Sequence, residues 1–322
     1  MKGAAAALAS RTPIALGLVG AGRWGTRYMS TLRELEGVRL ALVASRSPAA
    51  RERIPAGCEL TADWRHAVGA GGLDGIILAT PPALHHEMAM ACVTSGLAVL
   101  VEKPLTLDGP SARALREAAS ARGVLVMVDH THVFSAAFET LKARARRLEP
   151  PLRIRSLGGN RGPIRADVDG LWDYGPHDVS LCLDLVGCEP AAVQAHALAG
   201  AGDAGGGIGV TARLEFPGDV VAELTFGNGL PEKRRRFEVE GKDGALLYDD
   251  LAEPKLVERD SHGRLNPISV SPTPPLSRAV LAFRDAILSG CREHPSLRLG
   301  VSVVETLERI ASGVGAGGAA ER

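Results

Sequence analysis

The amino-acid sequence predicts an α/β protein in which an N-terminal doubly wound parallel sheet precedes an α+β domain with a large, mostly antiparallel open sheet. Short apolar runs alternate with segments of helical spacing over the first 130 residues, as they do in βαβ units. Beyond residue 190, short alternating runs are broken by Gly, Pro, Asp and Asn, which is typical of antiparallel strands. The length of 322 residues suits two domains, and we expect them at 1–130 and 131–322.

The individual elements follow from apolar runs and from helix-ending glycines and prolines. In the first part, the predicted strands are Ile14–Val19, Val38–Ala44, Asp74–Thr80, Ala98–Val101 and Val124–Val128, and the predicted helices are Thr26–Leu35, His85–Ser95 and Ser111–Ala121. In the second part, the predicted helices are Ala136–Leu148, Pro176–Val186, Pro275–Leu288 and Leu299–Ala311, and the predicted strands include Leu152–Leu157, Val210–Phe216, Val220–Phe226 and Arg236–Glu240. We predict a loop at Gly158–Gly170, a flexible segment at Ala199–Gly209 and a disordered tail at Gly313–Ala320.

Composition excludes several classes of protein. Because 37 Lys and Arg residues balance 37 Asp and Glu residues, no global charge attracts nucleic acid or an anionic membrane. The five cysteines form no Cys-x-x-Cys pair, so neither a disulfide framework nor a cysteine zinc site is predicted. No apolar run approaches the ~18 residues of a membrane span, and the apolar start of the chain is too short for a secretion signal. We therefore expect a cytoplasmic protein with a small-molecule substrate and without a metal, a nucleic-acid partner or a membrane partner.

A glycine pattern, Gly20-x-Gly22-x-x-Gly25, lies between the first predicted strand and the first predicted helix. Gly20 permits a tight turn, Gly22 permits close approach of a pyrophosphate, and Gly25 permits close packing of helix and strand. The helix N-terminus offers free N–H groups to the phosphates. In this context the pattern predicts a Rossmann dinucleotide site, in which Trp24 packs beneath the cofactor or against the sheet; the alternative is a turn without a ligand.

The end of the second strand indicates which dinucleotide binds. NAD sites usually carry an acidic residue at this position, whereas this sequence has Ser45, Arg46 and Ser47, and no carboxylate before Glu52. A guanidinium and two hydroxyls suit the 2′-phosphate of NADP(H). We therefore predict NADP(H), with NAD(H) as the alternative if Arg46 is only a solvated surface residue.

Further motifs resemble those of one protein family. They are Ala79-Thr80-Pro81-Pro82-x-x-His85, Glu102-Lys103-Pro104, Asp173-Tyr174-Gly175-Pro176-His177-Asp178 and Gly241-Lys242-Asp243-Gly244. Together with the glycine loop, their order and spacing resemble the Gfo/Idh/MocA oxidoreductases over essentially the whole chain. The resemblance implies a two-domain dehydrogenase or reductase of sugars, sugar derivatives or cyclic polyols, assembled as a homodimer or homotetramer.

The resemblance also implies roles for individual residues. Lys103 matches the lysine that orients the substrate hydroxyl or carbonyl, and His177, helped by Asp173, matches the histidine that exchanges the proton. Ser180 stands where many relatives carry an acidic residue, and Asp178 is present instead. The predicted catalytic residues are Lys103, Asp173 and His177, and the predicted substrate-binding residues are Lys103, Arg161, Trp172, Asp173 and His177. The predicted cofactor-binding residues are Gly20, Gly22, Arg23, Trp24, Gly25, Ser45, Arg46, Ser47, Thr80, Pro81, His85, Glu102 and Lys103.

The chemistry of these residues agrees with the resemblance. Hydride transfer at a hydroxyl-bearing carbon also needs a proton acceptor or donor, and histidine serves both directions near neutral pH. A lysine can polarise a carbonyl oxygen, and Glu102 can pair with it or brace its loop. The alternatives are a capping Asp173, a packed His177 and a solvated Lys103. At the level of function, the alternatives are a non-catalytic dinucleotide sensor and a reductase of imines or linear carbonyls.

Two groups of residues stay outside this scheme. His130 and His132 point to one side of the predicted chain crossing between the domains, but no carboxylate cluster accompanies them, so we predict no metal there. Four arginines, at positions 153, 155, 161 and 165, suit either a phosphorylated substrate or an exposed polar surface.

Overall fold

The computed structural model describes residues 13–162, 164–198 and 207–320. The start of the chain and most of the predicted flexible segment at Ala199–Gly209 lie outside these ranges. The chain forms two compact units. The first comprises the described residues up to 106 together with Pro110–Asp129 and Leu276–Arg298, and the second comprises Leu107–Gly109, His130–Pro275 and the residues from 299 onward.

The first unit contains a six-stranded parallel sheet with the strand order β3-β2-β1-β4-β5-β6. The strands are β1 (Ile14–Val19), β2 (Val38–Ala44), β3 (Glu59–Thr61), β4 (Gly75–Leu78), β5 (Ala98–Glu102) and β6 (Val126–Asp129). The helices along this part of the chain are α1 (Arg23–Glu34), α2 (Trp64–Gly69), α3 (His85–Thr94) and α4 (Gly109–Arg122). The central strands are almost continuously apolar because both faces of the sheet are covered. Strand order reverses between β1 and β4, which is where ligands bind in sheets of this kind.

The predicted division of the chain at residue 130 accounts for only part of the two units. The chain does change units after Asp129, but Leu276–Arg298, which we assigned to the second domain, belongs to the first unit. The contacts of α7 (Pro275–Leu288) explain this return. The fully buried ring of Phe283 lies over Gly75 of β4, where a Cβ atom would be only 2.9 Å from the ring.

The second unit contains an eight-stranded sheet with the order β14-β13-β12-β11-β7-β10-β9-β8, in which only β7 and β10 pair in parallel. Its strands are β7 (Leu152–Arg161), β8 (Ala192–Ala197), β9 (Gly209–Phe216), β10 (Val220–Gly227), β11 (Gly229–Gly241), β12 (Gly244–Asp249), β13 (Leu256–Arg259) and β14 (Leu265–Pro267). The helices α5 (Ala136–Ala145), α6 (Gly170–Val186) and α8 (Pro295–Ala320) contribute to the buried core, α6 by packing on β7 and β10. The predicted α/β and mostly antiparallel α+β architecture is confirmed.

Three predicted boundaries in the second unit are wrong. Strand β7 continues through Gly158 and Gly159, which we predicted as loop, because these glycines permit close packing: a Cβ atom on either would lie 2.2 Å from a neighbouring oxygen. Helix α6 begins at Gly170, six residues before Pro176, which is therefore inside the helix. The predicted disordered tail Gly313–Ala320 is helical, as the end of α8. Among the described helices, none is long and apolar enough to cross a membrane.

Candidate functional site

The glycine loop after β1 has the geometry of a phosphate cradle. Gly20 has a φ of +98°, and a Cβ atom there would be 2.4 Å from the carbonyl oxygen of Ala79. A Cβ atom on Gly25 would be 1.9 Å from the carbonyl oxygen of Gly20, so this glycine permits α1 to start close to the strand. No atom lies within 4 Å of the Cβ position of Gly22, which therefore faces open space at the start of α1. These three environments fit a dinucleotide pyrophosphate.

A cavity of about 710 Å³ opens beside this loop, within the first unit. Ser45, Arg46 and Ser47 line it at the end of β2, and Thr80 and Pro81 line it at the end of β4. Its lining residues are Val19, Gly20, Gly22, Ala44, Ser45, Arg46, Ser47, Ala62, Asp63, Trp64, Arg65, Ala79, Thr80, Pro81, Leu84 and Met88. Seven of the predicted cofactor-binding residues therefore lie along one cavity, of a size that suits a large organic ligand.

Asp63, Trp64 and Arg65 are lining residues that the sequence analysis missed. The Asp63 carboxylate accepts a hydrogen bond from the Arg65 backbone N–H at 2.9 Å, so it caps α2. The Arg65 guanidinium lies over the Trp64 ring, 4.3 Å from its centroid, and forms a 2.7 Å ion pair with Glu87. The signal that could have found them is the short strand β3, because the loop after each strand of a doubly wound sheet ends at the ligand edge.

Arg23 and Trp24 are not among the residues that line the cavity. The Arg23 side chain is exposed at the start of α1, and Trp24 is half-buried. The Arg27 guanidinium covers the Trp24 ring at 4.6 Å from its centroid. Trp24 and Arg27 therefore form a cation–π pair on the surface of α1.

The His85 side chain is completely buried and holds two loops of the first unit together. Its Nδ1 lies 2.7 Å from the Pro104 carbonyl oxygen, and its Nε2 lies 3.0 Å from the Thr80 carbonyl oxygen. Burial lowers the pKa of His85, although both carbonyl contacts oppose that change. The histidine thus ties the Thr80-Pro81 segment to the Glu102-Lys103-Pro104 segment, and its contact with a cofactor stays a prediction.

Glu102 is the last residue of β5 and Lys103 follows it; both are buried, with exposed fractions of 4% and 7%. The Lys103 backbone N–H donates to Glu102 Oε2 at 3.2 Å. Burial raises the pKa of Glu102 to about 8, and the neighbouring Asp129 carboxylate adds to the increase. Glu102 is thus a buried acid bonded to the Lys103 backbone, and its contact with a cofactor stays a prediction. On the other side of this acid, the Tyr28 hydroxyl of α1 donates to Asp129 Oδ2.

Asp173 and His177 lie four residues apart within α6, in the second unit. Asp169, rather than Asp173, caps the helix, since its carboxylate accepts from the Trp172 backbone N–H at 3.0 Å. Asp173 instead accepts a 3.2 Å hydrogen bond from Arg165, which also binds Asp167 through two shorter bonds. Arg165, one of the four arginines between positions 153 and 165, therefore compensates the charge of Asp173.

His132 is a neighbour of His177 that the sequence analysis did not connect with it. Its ring meets the His177 ring edge to face, with the centroids 5.1 Å apart and the planes at 78°. Its Nδ1 lies 3.4 Å from the Tyr248 hydroxyl. No local pattern could have revealed this pair, because 45 positions separate the two histidines in the sequence. Among the described residues, no group of three or more potential ligands suits a metal ion.

The two other predicted substrate residues have separate environments. The Arg161 side chain is exposed at the end of β7. Trp172 is half-buried and packs against the core of the second unit, as does Tyr174, whose hydroxyl donates to Asn160 Oδ1 at 2.5 Å. None of these three residues lines the cavity beside the glycine loop.

Asp178 adjoins His177 in the chain but points into the sheet, with an exposed fraction of 4%. Ser156 Oγ of β7 donates to its Oδ1 at 2.5 Å, and its Oδ2 has no hydrogen-bond partner among the described residues. Burial raises the pKa of this carboxyl to about 6. Asp178 is therefore an anchor of α6 rather than a substitute for the acidic residue that Ser180 replaces.

Comparisons with known proteins identify the class. Residues 14–130 match the model of the oxidoreductase family with an NAD-binding Rossmann fold, and residues 158–247 match the GFO/IDH/MocA C-terminal domain. A protein from Magnetospirillum magnetotacticum MS-1, whose crystal structure is described as that of an oxidoreductase, shares 41% sequence identity with this chain. The two structures superpose with a TM-score of 0.85, and the match covers 92% of this chain and 99% of that one. The chain is an NAD(P)-dependent dehydrogenase or reductase, and it belongs to the Gfo/Idh/MocA family.

Two further proteins resemble this chain along most of its length. The scyllo-inositol 2-dehydrogenase (NADP(+)) of Bacillus subtilis (strain 168) is 25% identical over 92% of both chains. A 3-ketoreductase from Actinomadura kijaniata, solved in complex with TDP-benzene and NADP, is 20% identical over 94% of this chain and 98% of that one, with a TM-score of 0.80. At that identity the second likeness shows the fold alone.

Proposed function

We propose that this protein is an NADP(H)-dependent oxidoreductase that acts on a hydroxyl or carbonyl carbon of a sugar, a sugar derivative or a cyclic polyol. The observation that carries the cofactor assignment is the cavity beside the glycine loop, in which Ser45, Arg46 and Ser47 follow β2. Asp63 is the one carboxylate among the lining residues, and it is engaged in capping α2. A ribose 2′-hydroxyl thus lacks its usual acidic partner after β2, whereas a 2′-phosphate has a guanidinium available.

The name of the Bacillus subtilis relative, which specifies both NADP(+) and an inositol, supports this proposal for cofactor and substrate class. When bound, NADP(H) supplies or accepts the hydride through its nicotinamide ring. The chain itself has to hold the ligand and move the accompanying proton. We assign proton exchange to His177 and polarisation of the substrate oxygen to Lys103, which carries a positive charge into a largely buried position. Asp173 supports His177 from the preceding turn of α6 while Arg165 holds its carboxylate.

The cofactor assignment is tested by calorimetry of Arg46→Ala with NADP(H) and with NAD(H). Loss of charge-assisted bonds to a phosphate costs about 1.5–3 kcal/mol, so NADP(H) should bind roughly 10–150-fold more weakly, while NAD(H) binding changes less than about threefold. Arg51→Ala is the matched control, because Arg51 is an exposed arginine of the next turn that does not line the cavity. An equal loss for both dinucleotides contradicts the assignment.

The reaction is tested by offering alcohols with NADP+ and carbonyl compounds with NADPH, over a panel of sugars, inositols and linear analogues. Lys103→Ala and His177→Ala should each lower kcat by about 100-fold or more, while the Kd for NADP(H) stays within about threefold of that of the unchanged protein. Dinucleotide binding without turnover across the whole panel would favour a sensor. Turnover restricted to imines or linear carbonyls would overturn the proposed substrate class.

We further propose that the protein assembles as a homodimer or homotetramer through its eight-stranded sheet. The exposed side chains of that sheet form ion pairs, including Arg155 of β7 with Glu240 of β11 at 3.1 Å, and Arg259 of β13 with the same Glu240 at 2.7 Å across the intervening β12. A two-fold dimer uses the same surface of both copies, and an open sheet face offers one continuous surface for this. Light scattering after size-exclusion chromatography tests this, and a purely monomeric protein at micromolar concentration would contradict it.

A further inference from the structure

Glu102, Lys103, Asp129 and Tyr28 form a buried ionisable cluster at the carboxyl edge of the six-stranded sheet. Glu102 and Asp129 are the last residues of β5 and β6, and the register pairs them directly across these two parallel strands. Neighbouring strands lie about 4.8 Å apart, and paired residues of parallel strands share a face of the sheet. The exposed fractions of the four side chains range from 0% to 7%. Two acids are thus held side by side away from water.

Tyr28 influences both acids, but its short hydrogen bond is to Asp129. The Tyr28 hydroxyl donates to Asp129 Oδ2, and a donated bond favours the ionised form of that carboxyl. The pKa of Tyr28 is raised well above its usual value by burial and by both acids, so the phenol keeps its proton. Glu102 accepts the Lys103 backbone N–H through Oε2, and its Oε1 has no hydrogen-bond partner among the described residues. Burial and the Asp129 charge raise the pKa of Glu102 by more than Lys103 and the hydrogen bond from Tyr28 lower it, so Glu102 is the better place for a proton.

The balance of charge leads to the same assignment. Within these four side chains, Lys103 contributes one positive charge and ionised Asp129 one negative charge, so a second carboxylate would give the buried cluster a net negative charge. His85 also faces this region; burial and then Lys103 lower its pKa, whereas its hydrogen bonds to the Pro104 and Thr80 carbonyls raise it. Two interacting acids of this kind lose their protons in two separate steps that belong to the pair.

We propose that Glu102 and Asp129 share one proton at neutral pH and that this pair, oriented by Tyr28, is a positioning cluster that sets the charge surrounding Lys103. Loss of the shared proton would place a second negative charge beside the ammonium group. The extra attraction would hold the Lys103 ammonium group more tightly against the acids and weaken its polarisation of the substrate oxygen. This consequence for catalysis rests on the proposed function, whereas the shared proton itself does not.

The shared proton is tested on the unliganded protein by infrared difference spectroscopy of the carboxylic-acid C=O stretch as pH is raised. We expect one protonated carboxyl at about pH 7 that titrates near pH 8, the range in which burial and Asp129 place Glu102. Glu102→Gln should abolish its band. Asp178→Asn is the matched control, since that buried acid titrates near pH 6 and its replacement should leave the band at pH 7 in place.

The decisive variant is Asp129→Asn, which leaves Glu102 intact but removes the neighbouring charge. If the two acids share the proton, Glu102 then ionises at lower pH, so the band at pH 7 should fall by half or more. A band that persists unchanged in Asp129→Asn overturns the shared proton, as does a neutral-pH spectrum that Glu102→Gln does not alter. Both variants should keep the circular dichroism spectrum of the parent, and the Asp129→Asn measurement stands alone if Glu102→Gln fails to fold.

The effect on Lys103 is tested by the pH profile of kcat. The parent should lose activity as pH rises from about 7 to 9, and Glu102→Gln should move that decline upward by about one pH unit or more. If the infrared band behaves as expected but kcat declines over the same pH range in the parent and in Glu102→Gln, the positioning role is overturned. Absence of turnover in the parent itself refutes the proposed function instead and leaves the infrared result standing.

Discussion

Replacement of Asp178 by asparagine tests what anchors the helix that carries His177. Asn keeps the shape of the side chain and removes its charge. Burial raises the pKa of Asp178 from an ordinary 3.8 to about 6, and the donated bond from Ser156 only partly offsets this. At 1.36 kcal/mol for each pH unit, the difference corresponds to about 3 kcal/mol of stability.

The sign follows from which state binds the proton. Between about pH 4 and pH 6 the folded protein keeps a proton on Asp178 that the unfolded chain has released, so stability falls as pH rises through this range. The contribution is fully present below pH 4 and is lost above the folded-state pKa. For a unit of this size, 3 kcal/mol corresponds to roughly 6–12 °C in Tm. The Tm advantage of Asp178→Asn over the parent should therefore grow by about that amount between pH 4 and pH 7.

Scanning calorimetry of parent and variant at a series of pH values measures this difference, in which the other titrating groups cancel. Ser156→Ala is the matched control, because removing the donated hydrogen bond should raise the pKa of Asp178 further and move the change in Tm to higher pH. A Tm difference that does not depend on pH, or one that shrinks as pH rises, would refute the account of Asp178 as a buried, incompletely compensated anchor.

Four further substitutions test the candidate site. Gly22→Ala should change Tm little but weaken NADP(H) binding at least tenfold by calorimetry. Gly25→Ala should instead destabilise the protein by more than about 2 kcal/mol, since its Cβ would be 1.9 Å from a backbone oxygen. An equal loss of stability in both variants would contradict the geometry of the phosphate cradle. Trp64→Leu should weaken dinucleotide binding about 5–10-fold with little change in Tm, and unaltered binding would remove the ring from the site. His132→Phe keeps a ring beside His177 but loses the contact of Nδ1, so kcat should fall about tenfold with KM within twofold; a change in KM alone would indicate a substrate contact instead.

The glycine loop could be predicted because its chemistry is local. The strand, the turn, the glycines and the helix start are contiguous between Ile14 and Glu34, and each glycine has a separate steric reason. The same locality made Ser45, Arg46 and Ser47 predictable, since they directly follow a recognisable apolar strand. Sequence reasoning is strongest where one short segment carries both the fold signal and the functional group.

Partnerships between distant segments could not be predicted in this way. Tyr28 meets Asp129 across 101 positions, and Phe283 returns to Gly75 from near the end of the chain. Periodicity describes which face of an element is buried, but it does not specify which residue of another element covers that face. For the same reason Glu102 was expected at the cofactor, although the register of β5 and β6 places it beside a second acid.

The central claim, NADP(H)-dependent hydride transfer on a polyol or sugar, is tested most directly by following absorbance of the reduced nicotinamide while the purified protein meets a panel of inositols and sugars. The account predicts substrate-dependent reduction of NADP+ for at least one cyclic polyol or sugar, with a kcat/KM at least tenfold higher than with NAD+. It also predicts that His177→Ala abolishes this reduction while still binding NADP+. Turnover that prefers NAD+, or that persists in His177→Ala, would contradict it.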